Sequence, residues 1–114
     1  MRSDPRKFLY DIASAAATIR AFCDGLTLKD YERELMLRSA CERQFEIIGE
    51  AMTRLRDRHS DVFAKLDDGP VIIAFRNRLI HGYDTVDSEI VWDVIESKLP
   101  RLLQAAEALL AAQA

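Results

Sequence analysis

Residues 70–83 read Pro70-Val71-Ile72-Ile73-Ala74-Phe75-Arg76-Asn77-Arg78-Leu79-Ile80-His81-Gly82-Tyr83. Proline presets φ at the first turn of a helix and gives up a backbone donor that has no partner there. Ile72, Phe75 and Leu79 then recur at helical spacing and predict one buried stripe. Gly82 is placed to stop the helix in a left-handed C-terminal cap. The last turns of this third helix therefore carry a guanidinium, an amide and an imidazole, with a phenol just past the end.

The same period extends in both directions. Upstream, Asp4 can cap the free amides of a first helix that Pro5 begins and Gly25 closes. Phe8, Ile12, Ala15, Ile19 and Phe22 form its inward stripe. Thr27 with Asp30 three residues on matches a capping box, and predicts a turn of helix that leads through Tyr31 into a second long helix over roughly 32–58. Leu37, Cys41, Ile48, Met52 and Leu55 face that helix inward, and Gly49 in mid-helix predicts that a neighbouring backbone packs close. Residues 59–69 lack a sustained period and read as a connector, with a turn of helix around Val62 and Phe63.

Downstream, Asp87 can cap a helix whose Ile90, Val91, Val94 and Ile95 pack inward, with Trp92 as a large anchor. Pro100 is expected to kink or break it, and an Ala- and Leu-rich segment over 101–113 follows. No alternating β pattern or internal repeat competes. The expected fold is all-α: an antiparallel bundle of four to five helices, one domain over residues 1–114.

Composition agrees. The chain has 114 residues, 49% hydrophobic and 31% charged, a globular balance in a length that buries one core. Asp11 and Arg20 interrupt the apolar run over 8–22, so it reads as a helix and not as a leader, and no transmembrane span is expected. Cys23 and Cys41 have neither metal-ligand spacing nor a disulfide framework and read as small buried residues, which fits a reducing cytoplasm. Glu46 and Glu50 lie one helical turn apart, but no Glu-x-x-His accompanies them, and metal is not expected. The net charge of −3 means that any nucleic-acid contact must come from a local basic patch or a second subunit.

The chemistry concentrates at residues 76–83. At about 100° per residue, Asn77 and His81 share a face, whereas Arg76 and His81, five positions apart, diverge within one helix. Two such helices around a two-fold axis would repair this, because each Arg76 could approach the partner's His81 in a composite cleft. There an arginine fork could hold a phosphate while His81 serves as general acid or base near neutral pH. That suffices for RNA cleavage without a metal, with the ribose 2′-hydroxyl as nucleophile. The bland alternative is that His81 complements the helix dipole and the arginines are solvated. His59, with Arg56 and Arg58, reads as a surface residue.

The tract resembles the signature of the HEPN superfamily and, more narrowly, the HepT-like pattern of Arg, four residues, His, one residue, Tyr, met by Arg76, His81 and Tyr83. Phe45-Glu46-Ile47-Ile48-Gly49-Glu50-Ala51, Ile90-Val91-Trp92-Asp93 and Leu99-Pro100 are also similar to HepT-like proteins. The resemblance implies a homodimeric, metal-independent endoribonuclease, the toxin of a type II/VII-like toxin-antitoxin pair whose antitoxin is a minimal nucleotidyltransferase. It implies that Arg76 and His81 are catalytic and that Asn77 and Arg78 position substrate. Tyr83 is then the acceptor of adenylyl groups, and no cofactor is needed. Two rivals remain at this point: a non-catalytic helical adaptor that binds a nucleotidyltransferase, and an antitoxin with the roles reversed.

Overall fold

The computed structural model describes residues 3–82 and 86–112, and among them it contains helices and no strand. Helix α1 (Pro5–Cys23) begins where expected, with the Asp4 carboxylate accepting from the Arg6 amide at 2.9 Å. Gly25, at φ +74°, turns the chain away after it, a conformation that side chains resist. The capping box is present on α2 (Leu28–Arg33): the Asp30 amide donates to the Thr27 hydroxyl, and the Thr27 amide donates to the Asp30 carboxylate. Both contacts satisfy amides that a helix start leaves free.

The second long helix, α3 (Leu35–Arg58), does not run on from α2. Glu34 adopts extended angles, φ −112° and ψ 102°, and breaks the two apart. Arg38 then donates to the carbonyls of Tyr31 and Glu32, groups at the end of α2 that the break leaves without helical partners. The connector holds the short α4 (Ser60–Phe63), and α5 (Gly69–His81) starts at Pro70 as its second residue.

Two local expectations are corrected. Gly82 ends α5 at φ −122° and ψ 37°, not in the left-handed region, and its amide donates in helical register to the Arg78 carbonyl at 2.8 Å. Of the kink or break expected at Pro100, the break is absent. A π turn over Val94–Lys98 separates α6 (Ser88–Asp93) from α7 (Leu99–Ala112), and the backbone stays helical through Leu99 at φ −60° and ψ −43°. In that wider turn the Leu99 amide donates to the Val94 carbonyl, five residues back, and the helix continues into the proline, which has no amide to donate.

The core is a contiguous cluster contributed by every helix. α1 packs between α3 and α7, α5 lies on α3, and α6 meets α2. Tyr31 and Trp92 join α2 to α6 at 5.6 Å between ring centroids, and Phe45 meets Phe75 edge to face at 5.0 Å. Such aromatic pairs contribute about 0.5–1.5 kcal/mol beyond their area. The second pair locks α5 to α3 directly beside Arg76. Phe22 and Ile90, expected inward, are 42% and 38% exposed at the edges of their stripes.

Cys23 and Cys41 are buried with their sulfurs 3.7 Å apart as free thiols, and burial pushes both thiol pKa values up. The basic cluster at 56–59 is partly structural. Arg58 lies over the Phe8 ring, the half-buried His59 ring packs on Phe8 at 6.3 Å, and His59 Nε2 shares a hydrogen bond with the Ser3 hydroxyl at 3.0 Å. No described helix is long and apolar enough to cross a membrane.

Candidate active site

Arg76 emerges from α5 one residue after Phe75 and lies across α3 at Gly49. A Cβ built on Gly49 would stand 2.4 Å from Arg76 Cβ, 2.4 Å from Cγ and 2.8 Å from Nε. The close neighbour expected at this glycine is thus the arginine side chain and not a backbone. One turn further along α3, Thr53 donates to the Gly49 carbonyl at 2.8 Å and accepts from Arg76 Nη2 at 3.4 Å. Its proton is committed to the backbone, so its lone pairs face the guanidinium. Thr53 escaped the sequence reading, although its place four residues after Gly49, on the same face of α3, was a usable signal.

The guanidinium is held but not neutralised. Arg76 Nε is buried without a hydrogen-bond partner, and among the described residues no carboxylate lies within ion-pair distance of this side chain. The nearby Glu50 is engaged elsewhere. Its carboxylate takes a hydrogen bond from Arg54 at 3.0 Å, which with the field of Arg54 and Arg76 lowers its pKa. A half-buried guanidinium with no carboxylate beside it is a place where an anion is favoured.

His81 is the last residue of α5 and is exposed, with no hydrogen bond or ion pair to another described residue. Asn77, one turn earlier, is exposed on the same side. Arg78 is about 200° round the helix from Arg76. It lines a groove of about 590 Å³ with Val71, Ala74, Ile90, Asp93 and Lys98. The fold therefore groups Asn77 with His81, seats Arg76 separately on α3, and directs Arg78 toward α6. Tyr83 lies outside the described residues.

Within one chain Arg76 and His81 are about 140° apart around α5. The seat on α3 fixes one side of that angle, because Arg76 packs on Gly49 and its Nη2 donates to Thr53.

Residues 12–109 match the family described as Ribonuclease HepT-like. The chain belongs to this HepT-like family. A Methanocaldococcus jannaschii protein, provisionally named an RNase, is 30% identical over 111 residues, covering 96% of this chain and 89% of its own. A Caldanaerobacter subterraneus protein with the same provisional name is 32% identical over 102 residues, covering 86% and 87%. A Thermococcus cleftensis protein, named probable ribonuclease HepT, is 27% identical over 102 residues, covering 90% and 92%. No solved structure gives a significant match.

Proposed function

We propose that this HepT-like chain is a metal-independent endoribonuclease whose active site forms between two copies, with Arg76 of one subunit and His81 of the other as its catalytic pair. The observation that carries the reading is the half-buried, uncompensated Arg76 guanidinium, a ready seat for a phosphate. The membership of the family and the names of the relatives support the same class of chemistry.

In this mechanism the phosphodiester sits on Arg76, whose donors stabilise the charge that grows on the non-bridging oxygens. His81 takes the proton from the ribose 2′-hydroxyl or delivers one to the departing 5′-oxygen. The O2′–P bond forms as the P–O5′ bond breaks, leaving a cyclic phosphate and a free 5′-hydroxyl. Asn77, on the His81 side of α5, orients the imidazole or the phosphate, and Arg78 adds a positioning charge to the RNA backbone. A molecule lacking the 2′-hydroxyl cannot react.

The chain then acts as the toxin of a toxin-antitoxin pair. Its partner is a minimal nucleotidyltransferase that silences it by adding adenylyl groups to Tyr83, two residues past His81 in sequence. Negative charge there would compete for the arginine. The test is RNA cleavage by freshly purified protein. Wild type should cut RNA but not the matching DNA, in the presence of EDTA. His81→Ala and Arg76→Ala should each lose roughly 10²- to 10⁴-fold in rate with unchanged circular dichroism. Full cleavage by His81→Ala would overturn the assignment.

A further inference from the structure

Away from Arg76, a pocket of about 210 Å³ opens between the break after α2, the start of α3 and the start of α6. Tyr31, Leu35 and Val91 give it apolar walls, and Arg38, Glu42 and Ser88 give it polar ones. At about 30 Å³ per water this is room for roughly seven waters, or for one purine ring system.

Its polar groups are unequally satisfied. Arg38 is pinned by the carbonyls of Tyr31 and Glu32, so its charge has a fixed place at the pocket. Glu42 has no hydrogen bond or ion pair with any described residue. Burial raises its pKa, a shift that Arg38 opposes and Glu46 reinforces. The Tyr31 hydroxyl, near Cys41 and Glu42 and behind the pocket surface, is buried and without a hydrogen-bond partner. A desolvated carboxylate with no partner, facing a cavity beside a fixed guanidinium, fits a ligand that brings hydrogen-bond donors to one and acceptors to the other.

The pocket is aligned with the phosphate seat. Arg38 and Gly49 are eleven residues apart on α3, which returns them to within about 20° of the same face, and Glu42 and Thr53 are related in the same way. The separation along the axis is about 16 Å. An RNA strand whose phosphate rests on Arg76 can therefore extend in the direction of the α3 axis and set a base farther along the strand into the pocket.

We propose that the pocket is a base-reading subsite for guanine in the RNA substrate, an inference that rests on the ribonuclease reading above. Guanine alone presents two adjacent donors, N1–H and the N2 amine, on its Watson–Crick edge, and a carboxylate accepts both. Adenine and cytosine pair each donor with a neighbouring acceptor, and uracil flanks its donor with acceptors. The O6 and N7 acceptors of guanine are the usual partners of an arginine. Single-stranded RNA splays its bases outward, so such a pocket can read one.

The test uses Trp92, the single tryptophan, whose ring lies 5.6 Å from that of Tyr31 behind the pocket. Titrating the protein with 5′-GMP, IMP, AMP and CMP while following its fluorescence holds the phosphate constant and varies the base. GMP should bind at least about tenfold tighter than AMP, with IMP between them because it lacks the N2 amine. Glu42→Gln should bring GMP to the level of AMP. Equal affinities for GMP and AMP, or a GMP preference that survives Glu42→Gln, overturn the subsite. Mapping cut sites on a mixed-sequence RNA separates the two claims. Cutting at a fixed offset from G, lost in Glu42→Gln, supports both. Cutting by wild type without base bias overturns the pocket alone. GMP-selective binding with no RNA cleavage upholds the pocket as a guanine site and sinks the ribonuclease reading.

Discussion

Gly49 and Arg76 occupy one another's space: a methyl group on the glycine would stand 2.4 Å from both Cβ and Cγ of the arginine. The clash is with atoms next to the α5 backbone and not with a flexible tip, so α3 and α5 would have to separate. Gly49→Ala should therefore destabilise the fold by about 1–3 kcal/mol in urea unfolding, as overpacking does. It should also lower RNA cleavage under conditions where the variant is still fully folded. Wild-type stability would mean that the helices part freely here.

Thr53→Val removes the oxygen that accepts from Arg76 and keeps the branched shape on α3. The loss of one hydrogen bond to a charged group is worth about 1.5–3 kcal/mol at most, and the contact here is long. The expected outcome is a fall in kcat/KM of up to about a hundredfold, measured where the variant is fully folded, beside a melting temperature lowered by at most several degrees. Unaltered kinetics would show that Gly49 alone positions the arginine.

Much of the fold was legible because its signals are local. Asp4 with Pro5, Thr27 with Asp30, and Asp87 each satisfy free amides within a few residues, so the helix starts could be read directly. The break at Glu34 carries no glycine or proline to mark it, and its compensation by Arg38 comes from another helix. At Gly82 and Pro100 the residue type was informative and the geometry was not. Gly82 closes its helix without a positive φ, and at Pro100 a change of helical pitch carries the backbone past the proline. Arg76 stood out by type, but its seat on Gly49 and Thr53 depends on how α5 lies against α3, which spacing along one helix does not contain. The Arg38 and Glu42 pocket was invisible for the same reason, since α2 and α6 must meet to wall it.

Glu42 should act on stability in the opposite direction from Asp4, Asp30 and Glu50. Burial raises its pKa in the folded state, so the folded protein holds that proton more tightly than the unfolded chain does. Its contribution is thus most favourable below the ordinary glutamate range, and it is lost as pH rises through the raised value. Asp4, Asp30 and Glu50, whose pKa values are lowered, behave the other way, and comparing wild type with Glu42→Gln cancels them. The variant should melt higher than wild type at pH 7, and the gap should shrink toward pH 4. A gap that grows on acidification would contradict the burial of this carboxylate.

For Tyr83, co-expression with a cognate nucleotidyltransferase should add one or more adenylyl units to the wild-type chain and none to Tyr83→Phe, read by intact-mass spectrometry. The modified protein should lose RNA cleavage, since the added phosphate competes for the cationic site. An unchanged wild-type mass with active partner and ATP would refute the regulatory role.

The central claim is that Arg76 and His81 work across two subunits, and mixing two dead proteins tests it most directly. Arg76→Ala and His81→Ala proteins, each inactive, are unfolded together and refolded as an equimolar mixture. In a mixed dimer one cleft has lost both residues, and the other combines an intact Arg76 with an intact His81. Half of the dimers are mixed and each has one working cleft of two, so RNA cleavage should return to about a quarter of wild type. A mixture as inactive as its components, with mixed dimers confirmed by native mass spectrometry, would contradict the composite site and return the catalytic pair to a single chain.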